Sequence, residues 1–374
     1  MKVLLLALDL FGPPGGIARH CRLTLKALTE DVRVQAVDVI SLLDDRQSSP
    51  DPCYFGKGGR SYLGCGGDRR LLIQSVLRAL HREVYDVVLA GHVNLAPLLL
   101  TAGARPGRSK RVTVIYGVDA WIRLPFIRRL ALRRSQRVLS ISHYTAQRAV
   151  HSNRLDPRRV DVTYSCPDPA LTEMQPSPRA LSQEERETRM VDTHALLTVS
   201  RLWRSEASKG QHAVLRALPR VLESVPSATY WIVGEGDLQP ELEELSEDLG
   251  VKSHVRFFGS VSDHMLRDCY QSCAAYVMPS KWEGFGLTFL EAMARGRPVI
   301  GGARDAAPEI LGDAALLVDP DNIGQLSQAI VRVLSEPDLQ MQLGAAGRQR
   351  LADHFTYDHF RTRLMASLQR SLEC

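Results

Sequence analysis

Two doubly wound α/β domains in series are the fold class that the sequence predicts, and three observations predict it. At 374 residues the chain is longer than one hydrophobic core usually serves. Short apolar runs alternate with segments of helical period, the pattern of parallel strands joined by crossover helices. That alternation breaks off at a proline-rich, charged stretch and then begins again.

In the first half, residues 3–8, 34–40, 87–90, 112–116 and 138–142 read as buried strands, and 16–29 and 71–82 as helices. Pro169, Pro176 and Pro178 then precede the charged run at 183–189, which reads as a linker. The expected boundaries are 1–170 for the first domain, 171–190 for the linker and 191–354 for the second domain. Strands follow at 196–200, 229–233, 255–258, 274–278, 299–301 and 315–318, and helices at 211–225, 238–249, 263–272, 287–295 and 323–334. Residues 44–70, rich in glycine, fit neither period and read as a long functional or mobile loop. There is no internal repeat and no low-complexity segment.

Composition narrows the class. Hydrophobic residues at 44% and charged residues at 24% are those of an ordinary soluble protein, which excludes disordered and fibrous chains. No apolar run approaches the ~20 residues of a membrane-spanning helix. Lys2-Val-Leu-Leu-Leu-Ala-Leu has the look of a short signal peptide, but Asp9 and a Gly/Pro turn follow it, so a buried first strand and a cytoplasmic protein are expected. The seven cysteines are scattered, and Cys269 and Cys273 have no second pair to complete a zinc site. Charge is uneven: residues 1–170 carry 26 Lys+Arg against 14 Asp+Glu, the remainder 21 against 28. An anionic partner is therefore expected for the first half.

Ligands of doubly wound sheets bind beyond the carboxyl ends of the strands, so motifs there carry the chemistry. The strongest is Pro279-Ser280-Lys281-Trp282-Glu283-Gly284-Phe285-Gly286-Leu287, running on to Glu291. A glycine turn opening a helix presents unpaired N–H groups and a favourable dipole to a diphosphate. Glu291, about 6 Å along that helix, suits a ribose diol, and Glu283 reaches a sugar; the plainer alternative is a capping carboxylate and a solvated one. Arg201, directly after a strand, and Lys209 with Gly210 offer two cations to a departing diphosphate, or are two solvated charges. Gly12-Pro-Pro-Gly15-Gly16 and Gly234-Glu235-Gly236 both lack the dinucleotide-binding spacing, which excludes a dehydrogenase of that type.

Together these residues resemble glycosyltransferase family 4, retaining enzymes of the GT-B fold. The resemblance runs nearly end to end, through Gly15-Gly16, Ser200-Arg201-Leu202 with Lys209-Gly210, Val233-Gly234-Glu235-Gly236, Phe257-Phe258-Gly259, the Glu283/Glu291 pair and Arg297-Pro298-Val299-Ile300. It implies two Rossmann-like domains facing across a cleft and a terminal helix, within 355–374, crossing back to the first. It further implies that Arg201, Lys209 and Glu283 are the catalytic groups, with Arg201 and Lys209 on the diphosphate of a nucleotide-sugar. Gly15, Gly16 and Gly234 would join that donor site, Gly259 would lie by the base, and Gly284, Phe285, Gly286 and Leu287 would support phosphate and sugar. Glu291 would take the ribose and Glu283 the transferred sugar. No cofactor and no metal are implied, the nucleotide-sugar being a co-substrate, and Asp319-Pro-Asp321 is expected to cap a helix.

The chain departs from the family where many members carry a histidine after a strand: it has Tyr116-Gly117-Val118-Asp119. His92 ends a neighbouring strand. His92, Tyr116 and Asp119 are thus candidates for the acceptor or sugar pocket, or His92 is simply a satisfied strand-end histidine. The segment 121–134, with Arg123, Arg128, Arg129, Arg133 and Arg134 among apolar residues, resembles a basic amphipathic element at an anionic membrane, or a helix with its apolar side inward. The expected acceptor is accordingly a glycan or lipid-linked saccharide, with peripheral membrane association and no nucleic acid. A nucleotide-sugar epimerase and a catalytically silent nucleotide-sugar binder are the alternatives.

Overall fold

The computed structural model describes residues 1–12, 15–102, 109–172 and 194–373. These form two compact units, Met1–Asp168 with Tyr357–Cys374, and Pro169–Thr356. Of the expected linker, Leu171 and Thr172 end a short helix, Pro169–Thr172, while 173–190 lie outside the described residues.

The first unit is a seven-stranded sheet in the order β3-β2-β1-β4-β5-β6-β7. The strands are β1 Lys2–Ala7, β2 Ala36–Ser41, β3 Gly59–Gly64, β4 Val87–Ala90, β5 Lys110–Ile115, β6 Arg137–Ser140 and β7 Val160–Val162, paired in parallel throughout. Because helices cover both faces, the central strands are continuous apolar runs; every residue of β1 after Lys2 is buried.

Two edge strands depart from the sequence reading. Residues 44–70 are not one loop: Gly59–Gly64 pairs with β2, and a helix starts at Arg69. The edge is held by side chains, with Arg60 and Ser61 both hydrogen-bonded to the Asp38 carboxylate and Tyr85 Oη donating to it at 2.6 Å. Val160–Val162, three half-buried residues, is too short to show a period.

The helix Tyr357–Glu373 completes this unit. Phe360, Leu364, Met365 and Leu368 enter the same core as Leu5, Val112 and Leu139, a stripe at helical spacing. Tyr357 Oη donates to Glu30 at 2.7 Å, and Arg370 pairs with Asp161 at 3.1 Å.

The second unit is a six-stranded parallel sheet in the order β10-β9-β8-β11-β12-β13, built from β8 Ala195–Val199, β9 Thr229–Val233, β10 Val255–Gly259, β11 Ala275–Met278, β12 Val299–Gly302 and β13 Leu316–Val318. Asp319-Pro-Asp321 does not cap the helix that follows: Asn322 does, accepting from Gln325 N at 2.9 Å. The two aspartates pair instead with Arg304, and Asp321 also with Lys281. In each sheet the order in which strands are added reverses beside its first strand, between β1 and β4 and between β8 and β11, and such switch points open a crevice at the strand ends.

Candidate functional site

In the second unit the predicted donor residues gather at the switch point between β8 and β11. Ser200 and Arg201 leave the end of β8. The long connection to Lys209 folds as a 3-10 helix, Arg204–Lys209, and returns the chain to the crevice. Gly210 makes that return possible: it has φ +96°, and a Cβ there would lie 2.6 Å from the Pro279 carbonyl oxygen. Lys281 N–H donates to Ser208 O at 2.8 Å, tying this connection to the turn after β11.

Lys209 Nζ stands 2.9 Å from Glu283 Oε2. Burial acts to push the Lys209 ammonium down, and the Glu283 carboxylate outweighs it and holds the ammonium above its ordinary value. Arg201 pairs with Glu206, its guanidinium 5.9 Å above the Trp203 ring. Glu283 is fixed through its backbone, its N–H reaching Asp305 Oδ2 at 3.3 Å and its carbonyl accepting from Ala306 N at 3.1 Å. Its Oε1 also accepts from Phe285 N at 3.3 Å. Gly284, Phe285 and Gly286 form the turn, Gly286 caps the helix, and Leu287 opens it. Glu291, one turn on, is buried and accepts from Tyr270 Oη at 2.8 Å.

Gly234 and Gly259 bridge each other, Gly234 N–H donating to Gly259 O at 2.8 Å. The Gly234 amide is thus engaged within the protein. Gly15 ends the glycine turn after β1 in extended backbone, φ −169°, and Gly16 begins the next helix; a Cβ at Gly15 would meet nothing within 4 Å.

The first unit brings His92, Tyr116 and Asp119 together at the ends of β4 and β5. The rings of His92 and Tyr116 stack at 5.8 Å, 18° from parallel. Tyr116 commits its hydroxyl to the Gly91 carbonyl at 2.9 Å. Asp119 closes the turn, accepting from Tyr116 N at 3.1 Å and Gly117 N at 2.6 Å. His92 Nδ1 accepts from Asn94 N at 3.0 Å, which leaves the neutral ring its proton on Nε2, 3.7 Å from Asp119 Oδ2. Burial, with Arg128 adding to it, pushes His92 down to about 4, and burial raises Asp119 to about 7. Burial thus disfavours the charged form of both groups, the imidazolium and the carboxylate.

Several residues of these sites carried no signal in the sequence. Asp305 adopts the left-handed region, φ +56°, to hold the Glu283 turn. Tyr270 lies on a different helix, Asp263–Ser272, from the carboxylate it holds. In the first unit, buried Asp44 accepts from Leu10 N, Phe11 N and Tyr62 Oη, while Asp9 accepts from Gly12 N at 2.9 Å. Burial and the neighbouring Asp44 raise Asp9 to about 6. Asp9 was visible only as a break in the first apolar run.

Two family descriptions match the chain, "Glycosyl transferases group 1" over residues 184–350 and "Glycosyltransferase Family 4" over 14–171. A Mycobacterium tuberculosis GDP-mannose-dependent alpha-(1-6)-phosphatidylinositol monomannoside mannosyltransferase is 30% identical over 285 residues, 72% of each chain. The chain belongs to glycosyltransferase family 4. A further family relative is the Corynebacterium glutamicum GDP-mannose-dependent monoacylated alpha-(1-6)-phosphatidylinositol monomannoside mannosyltransferase, 27% identical over 73% of this chain and 74% of that one. Among solved structures, Anabaena HepE in complex with UDP-glucose aligns with a TM-score of 0.78 at 18% identity, over 99% of both chains. Sucrose-phosphate synthase from Thermosynechococcus elongatus aligns at 0.75 and 18%, over 100% of this chain and 99% of that one. This family 4 glycosyltransferase therefore has the GT-B fold, its two parallel sheets of seven and six strands being those of its structural neighbours.

Proposed function

We propose that the chain moves a hexose, with retention, from a nucleoside-diphosphate sugar to a hydroxyl of a lipid-linked saccharide or glycan, without a metal ion. The observation that carries this is the Lys209–Glu283 pair at the β8/β11 switch point, with Glu291 one helical turn beyond it. Arg201 and Lys209 take the diphosphate, whose charge grows as the glycosidic bond breaks, and their field stabilises that charge. On this reading Lys209 passes from Glu283 to the phosphate as donor enters, which releases Glu283 to the hydroxyls of the sugar. Glu291 receives the ribose diol. The departing phosphate itself takes the acceptor proton, and the His92–Asp119 pair contributes to the acceptor or sugar pocket. GDP-mannose is the first donor to try, since the relatives at 27–30% identity are GDP-mannose-dependent.

A thermal-shift screen against GDP, UDP, ADP and their common sugars, in EDTA, tests the donor. A ligand at 100 times its dissociation constant adds about 2.7 kcal/mol of stability. One clear hit is expected, lost in Arg201→Ala and Glu291→Ala. No shift with any nucleotide would remove the transferase reading of the site, and a shift that needs added Mg²⁺ would remove metal independence.

The acceptor side of the proposal places the first unit on an anionic membrane. In the helix Phe126–Arg134 only Ala131 and Leu132 are buried, whereas Phe126 is 70% exposed and the preceding Ile122 64%. Apolar side chains thus project among Arg123, Arg133 and Arg134, which are also exposed, and residues 120–136 hold no acidic residue. Apolar insertion and attraction to anionic lipid act together in such an element. Flotation with phosphatidylglycerol vesicles is expected to carry the protein upward at low salt, less so at high salt and less in Phe126→Ser. No flotation at low salt would end the membrane proposal.

A further inference from the structure

Glu291 is buried one turn into its helix, and its Oε2 accepts from a phenol, Tyr270 Oη, at 2.8 Å. A phenol fixes the rotation of a carboxylate without neutralising it, and a carboxylate offers about four acceptor positions over its two oxygens. A vicinal diol presents two O–H donors at a set spacing, so it is read well only by a carboxylate whose plane is held. A second phenol works beside the first. Tyr276 Oη donates to Thr288 Oγ1 at 2.7 Å, and the two rings lie 5.9 Å apart. Thr288 and Glu291 are three residues apart, on one face of the helix. Each phenol thus holds one side chain of that face, Tyr276 from β11 and Tyr270 from the helix Asp263–Ser272.

We propose that Tyr270 is a positioning residue for the nucleotide ribose, setting the Glu291 carboxylate so that it accepts from both ribose hydroxyls. The proposal rests on the nucleotide-sugar reading of the site. Packing alone would be served by a phenylalanine, and the tyrosine adds a buried donor aimed at the carboxylate.

Calorimetric titration of the full chain and of Tyr270→Phe with GDP and UDP, and with their 2′,3′-dideoxy forms, tests it. For whichever ribonucleotide the unaltered protein binds, Tyr270→Phe is expected to weaken affinity about five- to tenfold. The dideoxy form should bind both proteins equally. Tyr276→Phe, which leaves the Glu291 hydrogen bond in place, serves as control and should not change the ribo-to-dideoxy ratio. Equal weakening of ribo and dideoxy forms in Tyr270→Phe, or no weakening of either, would overturn the role. Absence of binding by the unaltered protein would overturn the nucleotide-sugar reading itself.

Discussion

Glu283→Ala is expected to lower kcat for sugar transfer by about 10²–10³ while leaving affinity for the nucleoside diphosphate within a few fold. The split follows from the two partners that the carboxylate serves in turn. In the structure it holds Lys209 at 2.9 Å, and it is proposed to hold the sugar of the donor. Removing it costs the sugar its contact, yet frees the lysine for phosphate, so binding of the diphosphate portion survives. Glu283→Gln keeps a hydrogen-bonding group at the same place and should lose less. The variant also removes the charge that holds Lys209 above its ordinary value against burial, so the ammonium should lose its proton at lower pH than in the parent. Steady-state kinetics with nucleotide titration decide the matter: an unchanged kcat would remove Glu283 from the reaction.

The largest effect on stability is expected from Gly234→Ala. Gly234 sits at φ +130°, where a side chain is strained, and its added Cβ would lie 1.8 Å from the Ser200 carbonyl oxygen. A Cβ is fixed by the backbone that bears it and the atom it meets is backbone, at the ends of neighbouring strands, so no side chain can rotate away. A loss of about 3–5 kcal/mol is expected, or roughly 10 °C in melting temperature for a unit of this size. Gly15→Ala is the counterpart, with extended backbone and open space around the new methyl group; its melting temperature should not move. A Gly234→Ala protein that melts with the parent would mean that the backbone at the ends of β8 and β9 yields more than this close contact implies.

The central strands were legible because their burial is written in their own residues. β1, β4, β8 and β9 are nearly unbroken apolar runs, and the glycine turn before Leu287 announces its helix. What was not legible depends on partners far away in sequence. β3 lies at the sheet edge through Arg60 and Ser61 reaching back to Asp38, a tie that no local period records. Tyr270 and Asp305 act on Glu291 and Glu283 from 21 and 22 residues away. Asp319 and Asp321 had the form of a cap, but Arg304 and Lys281 lay close enough to claim them, and Asn322 took the helix end. For His92, Tyr116 and Asp119, strand-end position was enough to predict that they gather. The direction of their protonation was not, since it follows from burial.

The helix Tyr357–Glu373 also sets an order of events during synthesis. Its apolar face belongs to the core of the first unit, yet all of Pro169–Thr356 is translated before it. At ribosomal speeds the first sheet waits on the order of ten to forty seconds for its last cover. Over that interval the surface that Phe360, Leu364 and Leu368 cover has no partner from this helix on the nascent chain, while the strands of the second unit are still being made. The unit whose strands emerge first is thus the one whose last helix is made last.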